Sequence, residues 1–165
     1  MDARFRPWLL AAPLLAPLAG ALGACAGAER APASTFHLLD GRTLTMAELQ
    51  GKVLLVNFWA TTCTSCVKEM PQLVQTHQRF AARGFETLAV AMSYDQPEWV
   101  ANFVRTRQLP FAVALDKDGE LARAWGEVKL TPTTFIVDRQ GRIVKRYVGP
   151  PDFDALAGLL DKLLG

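Results

Sequence analysis

The sequence has no stretch in which lysine and arginine gather, and its 18 basic side chains are nearly matched by 16 acidic ones, for a formal net charge of +2. A phosphate backbone needs a clustered positive surface, so a nucleic-acid partner is excluded. Histidines number two and cysteines three, too few for a disulfide-stapled framework. There is no internal repeat and no low-complexity tract, which excludes solenoid and collagenous architectures. What is present is a chain of 165 residues, half of them hydrophobic and 21% charged. That composition describes one globular domain with some extra chain, able to bury a core without staples.

The extra chain is at the front. Arg4 and Arg6 make a short basic start, and Trp8 to Leu22 is uncharged and rich in Leu and Ala. The next residues, Leu22-Gly23-Ala24-Cys25, resemble a bacterial lipobox. That resemblance implies that residues 1–24 are a signal peptide and that Cys25 is acylated as the mature N-terminus. The lipid anchor would then hold the domain to a membrane on the periplasmic side of the cell envelope. The alternatives are an ordinary cleaved leader or an uncleaved anchor, and Pro13 and Pro17 oppose a regular spanning helix. Residues 25–34 read as the lipidated terminus and a flexible linker, and 35–165 as the domain. With Cys25 acylated, only Cys63 and Cys66 remain as thiols.

These two stand in the most informative stretch of the chain, Val53 to Pro71. An apolar run, Val53 to Phe58, follows the Gly51-Lys52 turn and leads through a small polar loop to C-x-x-C. A buried strand thus delivers a dithiol to a helix start. There the unpaired N–H groups and the helix dipole favour the thiolate of Cys63, while Cys66, one turn deeper, is shielded. Cys63 is therefore expected to be the nucleophile and Cys66 the resolving thiol of a redox-active disulfide that needs no other cofactor. A structural zinc site is the rival, but beyond the pair only Cys25, His37 and His77 could supply sulfur or nitrogen.

Around this stretch, Asp40-Gly41 predicts an N-terminal hairpin, followed by a single helical turn before Gly51. Val67, Met70, Val74, His77 and Phe80 recur at helical spacing, with a kink expected at Pro71 and His77 expected to pack at the helix edge. Phe85 to Met92 is a second buried strand. Pro97 to Gln108 is a helix with Trp99, Phe103 and Val104 on its buried face. Phe111 to Leu115 is a strand and Glu120 to Trp125 a short helix. Thr133 to Val137 and Ile143 to Val148 form a hairpin about Asp138 to Gly141, and Asp152 caps a last helix carrying Phe153, Leu156, Leu160 and Leu163. The order describes an α/β domain with a mixed central sheet flanked by helices.

The run from Asn57 to Cys66, then Glu69-Met70-Pro71, then Thr131-Pro132-Thr133-Thr134-Phe135 resembles the TlpA/ResA family of tethered, thioredoxin-like thiol-disulfide oxidoreductases. The resemblance covers the chain from Thr35 onward. It implies a thioredoxin fold with an N-terminal β-hairpin and a central strand-helix insertion around Pro97 to Trp125. Glu69 matches an acidic residue near the dithiol and is expected to modulate thiol ionisation or proton transfer at Cys66. Thr131-Pro132 matches a cis-proline loop facing the sulfurs, where the Thr131 backbone can pair with an extended substrate. Trp59, which ends the strand, is expected to pack at this wall and shield the sulfurs. Asn57 falls where thioredoxins carry a buried acid. An amide cannot shuttle that proton, so Asn57 is expected to satisfy backbone groups. The residue before the first cysteine is usually Trp in the family and is Thr62 here.

The implied activity is reduction of disulfides in exported proteins, apocytochrome c among them, with electrons from a DsbD- or CcdA-like transmembrane donor. The alternatives on the same fold are copper delivery, which needs C-x-x-x-C and a distal histidine, and a thiol peroxidase, which needs an arginine by its cysteine.

Overall fold

The computed structural model describes residues 29–165, so the expected signal peptide, Cys25 and the first linker residues lie outside the described residues. Within them, strand β1 (Thr35–His37) pairs antiparallel with β2 (Thr43–Thr45), Phe36 opposite Leu44. Phe36 is wholly buried while Thr35 and His37 are exposed, the two-residue alternation of a strand with one covered face. The hairpin turns at Asp40, whose carboxylate accepts the Arg42 backbone N–H at 3.0 Å, with Gly41 left-handed beside it (φ 84). The helical turn expected before Gly51 is instead two successive turns, closed by Gln50 N–H to Ala47 and Lys52 N–H to Leu49. Glu48 folds back to accept from the N–H and hydroxyl of Thr45, and left-handed Gly51 stops any helix from propagating.

The central sheet is built on β3 (Val53–Trp59), in which every residue is buried. Strand β4 (Phe85–Ala91) runs parallel to it and β5 (Ala112–Leu115) parallel to β4. On the other side β6 (Thr133–Val137) is antiparallel to β3, and β7 (Ile143–Val148) antiparallel to β6, giving the order β5-β4-β3-β6-β7. Alternate residues of β3 divide the core. Leu54, Val56 and Phe58 face Phe36, Trp125 and Phe135, under the hairpin. Val53, Leu55 and Trp59 face Cys66, Leu73, Phe80, Leu156 and Leu160, under helices α1 (Thr64–Phe80) and α4 (Phe153–Leu164). Each fully buried large apolar side chain of this kind contributes about 1.5–3 kcal/mol. Helix α2 (Pro97–Arg107) and the short α3 (Glu120–Ala124) flank β5, in the region expected to hold the insertion. The hairpin also covers the outer edge of β5, through Leu38 bridged to Ala114 and Leu39 N–H bonded to Val113.

Two local expectations are corrected. On α2 the inward face carries Val100, Phe103 and Val104, and Trp99 is 57% exposed. Residues 99 and 100 lie about 100° apart on a helix, and Val100 is the one that shares a face with 103 and 104. Helix α1 holds Pro71 in its interior, as the spacing predicts, and the proline sits on the exposed side, where only the Val67 carbonyl loses a partner. The end of the expected linker is docked: Ile143 N–H bonds to Glu29, Ala31 N–H to Gly141, and the Trp125 indole donates to Ser34 Oγ at 3.0 Å. No helix among the described residues is long and apolar enough to cross a membrane.

Candidate active site

The parallel register of β3 and β4 sets Trp59 opposite Ala91, and the antiparallel register of β6 sets Thr133 opposite Phe58. Three chain segments therefore leave the sheet at one end: Ala60 to Cys63 after β3, Met92 to Gln96 after β4, and Leu130 to Pro132 before β6. The dithiol sits in the first. Cys63 is the N-cap of α1, extended at φ −90 and ψ 104, and its Sγ accepts the Cys66 N–H at 3.2 Å. The two cysteines are joined as a disulfide with Cα atoms 5.3 Å apart. Cys66 has no exposed surface, whereas Cys63 is half-buried. The solvent-facing sulfur is thus the one at the helix N-terminus, where negative charge is favoured. Ser65 Oγ lies 3.4 Å from Cys63 Sγ, so a hydroxyl stands beside the sulfur that becomes a thiolate on reduction. Ser65 was not singled out from sequence.

Glu69 is on the same helix, three residues beyond Cys66 and so on the same side. It is 2% exposed, and its Oε1 accepts from Asn57 Nδ2 at 2.9 Å. Burial raises its carboxyl from the ordinary 4.5 to about 7, against the opposing pull of the Asn57 hydrogen bond. Asn57 also donates to Thr134 Oγ1 at 2.9 Å, so its partners are side chains on α1 and β6 rather than the backbone groups expected for it. Glu69 Oε2 and Asn57 Oδ1 have no partner.

The Thr131–Pro132 peptide is cis. Pro132 is buried, its carbonyl held by the Gly149 N–H at 2.8 Å, and Thr133 Oγ1 donates to the Leu130 carbonyl at 2.7 Å. Trp59, expected at the substrate wall, is instead wholly inside the core with its ring 5.1 Å from Phe103. It packs in the same cluster as Cys66 and has no surface to offer a substrate.

Sequence reasoning missed Asp95. Its carboxylate is 5% exposed and accepts both the Thr61 N–H and the Thr61 hydroxyl, each at 2.6 Å. This ties the loop that precedes Cys63 to the loop that follows β4. A pairing 34 residues apart leaves no periodic signal in the chain. The histidines are elsewhere: His77 packs its ring 5.6 Å from Phe111, with burial lowering its pKa, and His37 is exposed on β1. Among the described residues no group of three or more His, Cys, Asp or Glu is placed to hold a metal ion. A cleft of about 540 Å³ lies between the hairpin and the β4–β5 edge, away from the sulfurs. Thiol-disulfide exchange needs an accessible sulfur rather than an enclosed pocket.

Comparison with known proteins agrees with this arrangement. The sequence pattern of the Redoxin family matches residues 26–160. The chain is 32% identical over 136 residues to the thiol-disulfide oxidoreductase ResA of Bacillus thuringiensis subsp. konkukian (strain 97-27), covering 82% of this chain and 77% of that one. It is 33% identical over 123 residues to ResA of Bacillus subtilis (strain 168), covering 73% and 68%. Among solved structures it is similar to a thiol:disulfide interchange protein of the thioredoxin family from Chlorobium tepidum TLS, with TM-score 0.76, 31% identity, and coverage of 84% of this chain and 97% of that one.

Proposed function

We infer the role of this chain from one premise: it belongs to the Redoxin family and is a thiol-disulfide oxidoreductase of the TlpA/ResA type, with a thioredoxin fold. On that footing it works as a reductase outside the cytoplasm. Its clients are disulfides of exported proteins, apocytochrome c among them. It is held to the membrane through acyl chains on Cys25 and re-reduced by a DsbD- or CcdA-like donor. The lipobox-like sequence supports the tether, and the family resemblance supports the direction and the donor.

The observation that carries this reading is the asymmetry of the dithiol: Cys63 caps α1 and is partly open, and Cys66 has no exposed surface. The Cys63 thiolate attacks a sulfur of the client disulfide; that S–S bond breaks, one client thiolate leaves, and a mixed disulfide forms at Cys63. Cys66, deprotonated, then attacks Cys63 Sγ and expels the second client thiolate. Two electrons pass to the client and the chain is left as the Cys63–Cys66 disulfide. Glu69, with its carboxyl near 7, is suited to take the Cys66 proton at neutral pH.

Equilibrating the full chain with dithiothreitol redox buffers tests the direction. A reduction potential near that of thioredoxin, about −270 mV, fits a reductase, and one near that of DsbA, about −120 mV, overturns it.

A further inference from the structure

Cys63 is surrounded on its own segment by hydroxyl side chains: Thr61, Thr62, Thr64 and Ser65. The dithiol loop therefore offers a client no large apolar side chain. Large exposed hydrophobic side chains among the described residues are Tyr94 (58%), Trp99 (57%), Leu130 (65%) and Val148 (58%). All four lie at the dithiol end of the sheet. Tyr94 is in the loop after β4, and Trp99 is in the first turn of α2 that follows it. Leu130 directly precedes the cis Thr131–Pro132 peptide, and Val148 is paired with Thr133 at the end of β7. Of these, Tyr94 and Leu130 are neighbours, joined through the contact of Tyr94 with Thr131, and adjacent exposed apolar groups mark an interaction site.

Within this group Tyr94 is held in place from two sides. Its hydroxyl is 3.3 Å from Thr131 Oγ1, and its neighbour Asp95 is anchored to the Thr61 N–H and hydroxyl at 2.6 Å. Consecutive residues thus join the Pro132 wall to the Cys63 loop, and the ring stands between them, mostly open to solvent. A ring pre-positioned in this way binds an apolar group at low entropic cost.

We propose that Tyr94, with Leu130 beside it, is the specificity-determining platform of this enzyme, and that its ligand is an extended polypeptide carrying an aromatic or large aliphatic residue next to the disulfide cysteine. The occupant follows from the chemistry: a client sulfur must reach Cys63, and the chain that carries it must cover this end of the sheet. Large apolar residues are mostly buried in folded proteins and open in unfolded chains, so the surface favours unfolded clients. The inference rests on Cys63 being the exchange sulfur.

The test uses the full chain carrying Cys25→Ser and Cys66→Ser, so that only Cys63 reacts. Two synthetic peptides, identical except for Phe or Ser beside a single cysteine, are each capped as a mixed disulfide with thionitrobenzoate. The Cys63 thiolate attacks the peptide sulfur, the bond to thionitrobenzoate breaks, and the coloured thionitrobenzoate anion leaves with the bonding electrons. The methyl disulfide of thionitrobenzoate, with the same leaving group and no peptide, is the control. The Phe peptide should react about 3- to 10-fold faster than the Ser peptide. Tyr94→Phe should keep that preference and Tyr94→Ser should abolish it, with the methyl control unchanged in both. A ratio near one in the Tyr94 protein, or a ratio that survives Tyr94→Ser, overturns the proposal. So does an equal fall of the methyl control in Tyr94→Ser, which would place Tyr94 in nucleophile activation instead. The assay reads a step common to reductases and oxidants, so an error in the assigned direction would appear in the reduction potential and leave these ratios unchanged.

Discussion

Asn57 and Glu69, from a strand and a helix on one side of the sheet, meet inside the core: Nδ2 of the amide donates to Oε1 of the carboxyl across 2.9 Å, at positions 0% and 2% exposed. An amide cannot change its protonation state, but the carboxyl beside it can. Burial alone would disfavour the Glu69 carboxylate further than is found, and the Asn57 hydrogen bond pulls the group back to about 7. A carboxyl that titrates near neutrality, one helical turn from Cys66, is matched to moving a proton as that thiol is used and regenerated.

Glu69 also makes a prediction about stability. Its folded pKa, about 7, lies above the ordinary 4.5, so the folded state holds a proton that the unfolded chain releases. The stability this contributes is full below pH 4.5 and is lost progressively as pH rises to 7, by about 3 kcal/mol in total. Urea unfolding of the oxidised protein between pH 4 and 8 should show that decline, and Glu69→Gln should flatten it. The same variant should slow client reduction about tenfold or more near pH 7. A Glu69→Gln protein with the parent pH profile in both measurements would leave Glu69 as packing only.

Removal of Asp95 should loosen the loop that leads into Cys63. In Asp95→Ala the N–H and hydroxyl of Thr61 both lose their acceptor, at a cost of about 2 kcal/mol. The urea midpoint of the oxidised protein reads this directly. An unchanged midpoint would mean that water replaces the carboxylate without penalty.

The docked segment before β1 makes a prediction of its own. Ser34→Ala leaves the buried Trp125 indole N–H without its acceptor, and should lower stability by about 1–2 kcal/mol. The same substitution in a segment that merely tethered the domain would change nothing measurable.

Much of the frame could be read from local pattern. Thr133–Val137 and Ile143–Val148 are β-branched and aromatic-rich segments either side of a Gly-containing turn, and the strands begin and end where that pattern does. Asp152 precedes an apolar periodicity and caps α4 with bonds to the N–H groups of Asp154 and Ala155. Cys63 could be placed at a helix start for the same reason, because a buried strand and a short loop leave the cap position to it. Contacts between distant segments were not legible. Asn57 meets Thr134, 77 residues on, and Asp95 meets Thr61, and neither pairing has a period or a turn signal to announce it. Hydrophobicity alone cannot choose between the adjacent apolar residues Trp99 and Val100 of α2, and it is Val100 that is buried. Trp59 faces inward because the alternation of β3 puts it on the same side as Val53 and Leu55, where it packs with Cys66 and Phe103.

The division of labour within the dithiol is tested most directly by trapping. Cys66→Ala and Cys63→Ala proteins are reduced, mixed with disulfide-containing client polypeptides, quenched with acid and examined by intact mass. Cys66→Ala should accumulate a covalent adduct on Cys63, because no second thiol remains to resolve it, and Cys63→Ala should accumulate none, because Cys66 has no exposed surface. Equal trapping by Cys63→Ala would contradict the assignment of Cys63 as the attacking sulfur.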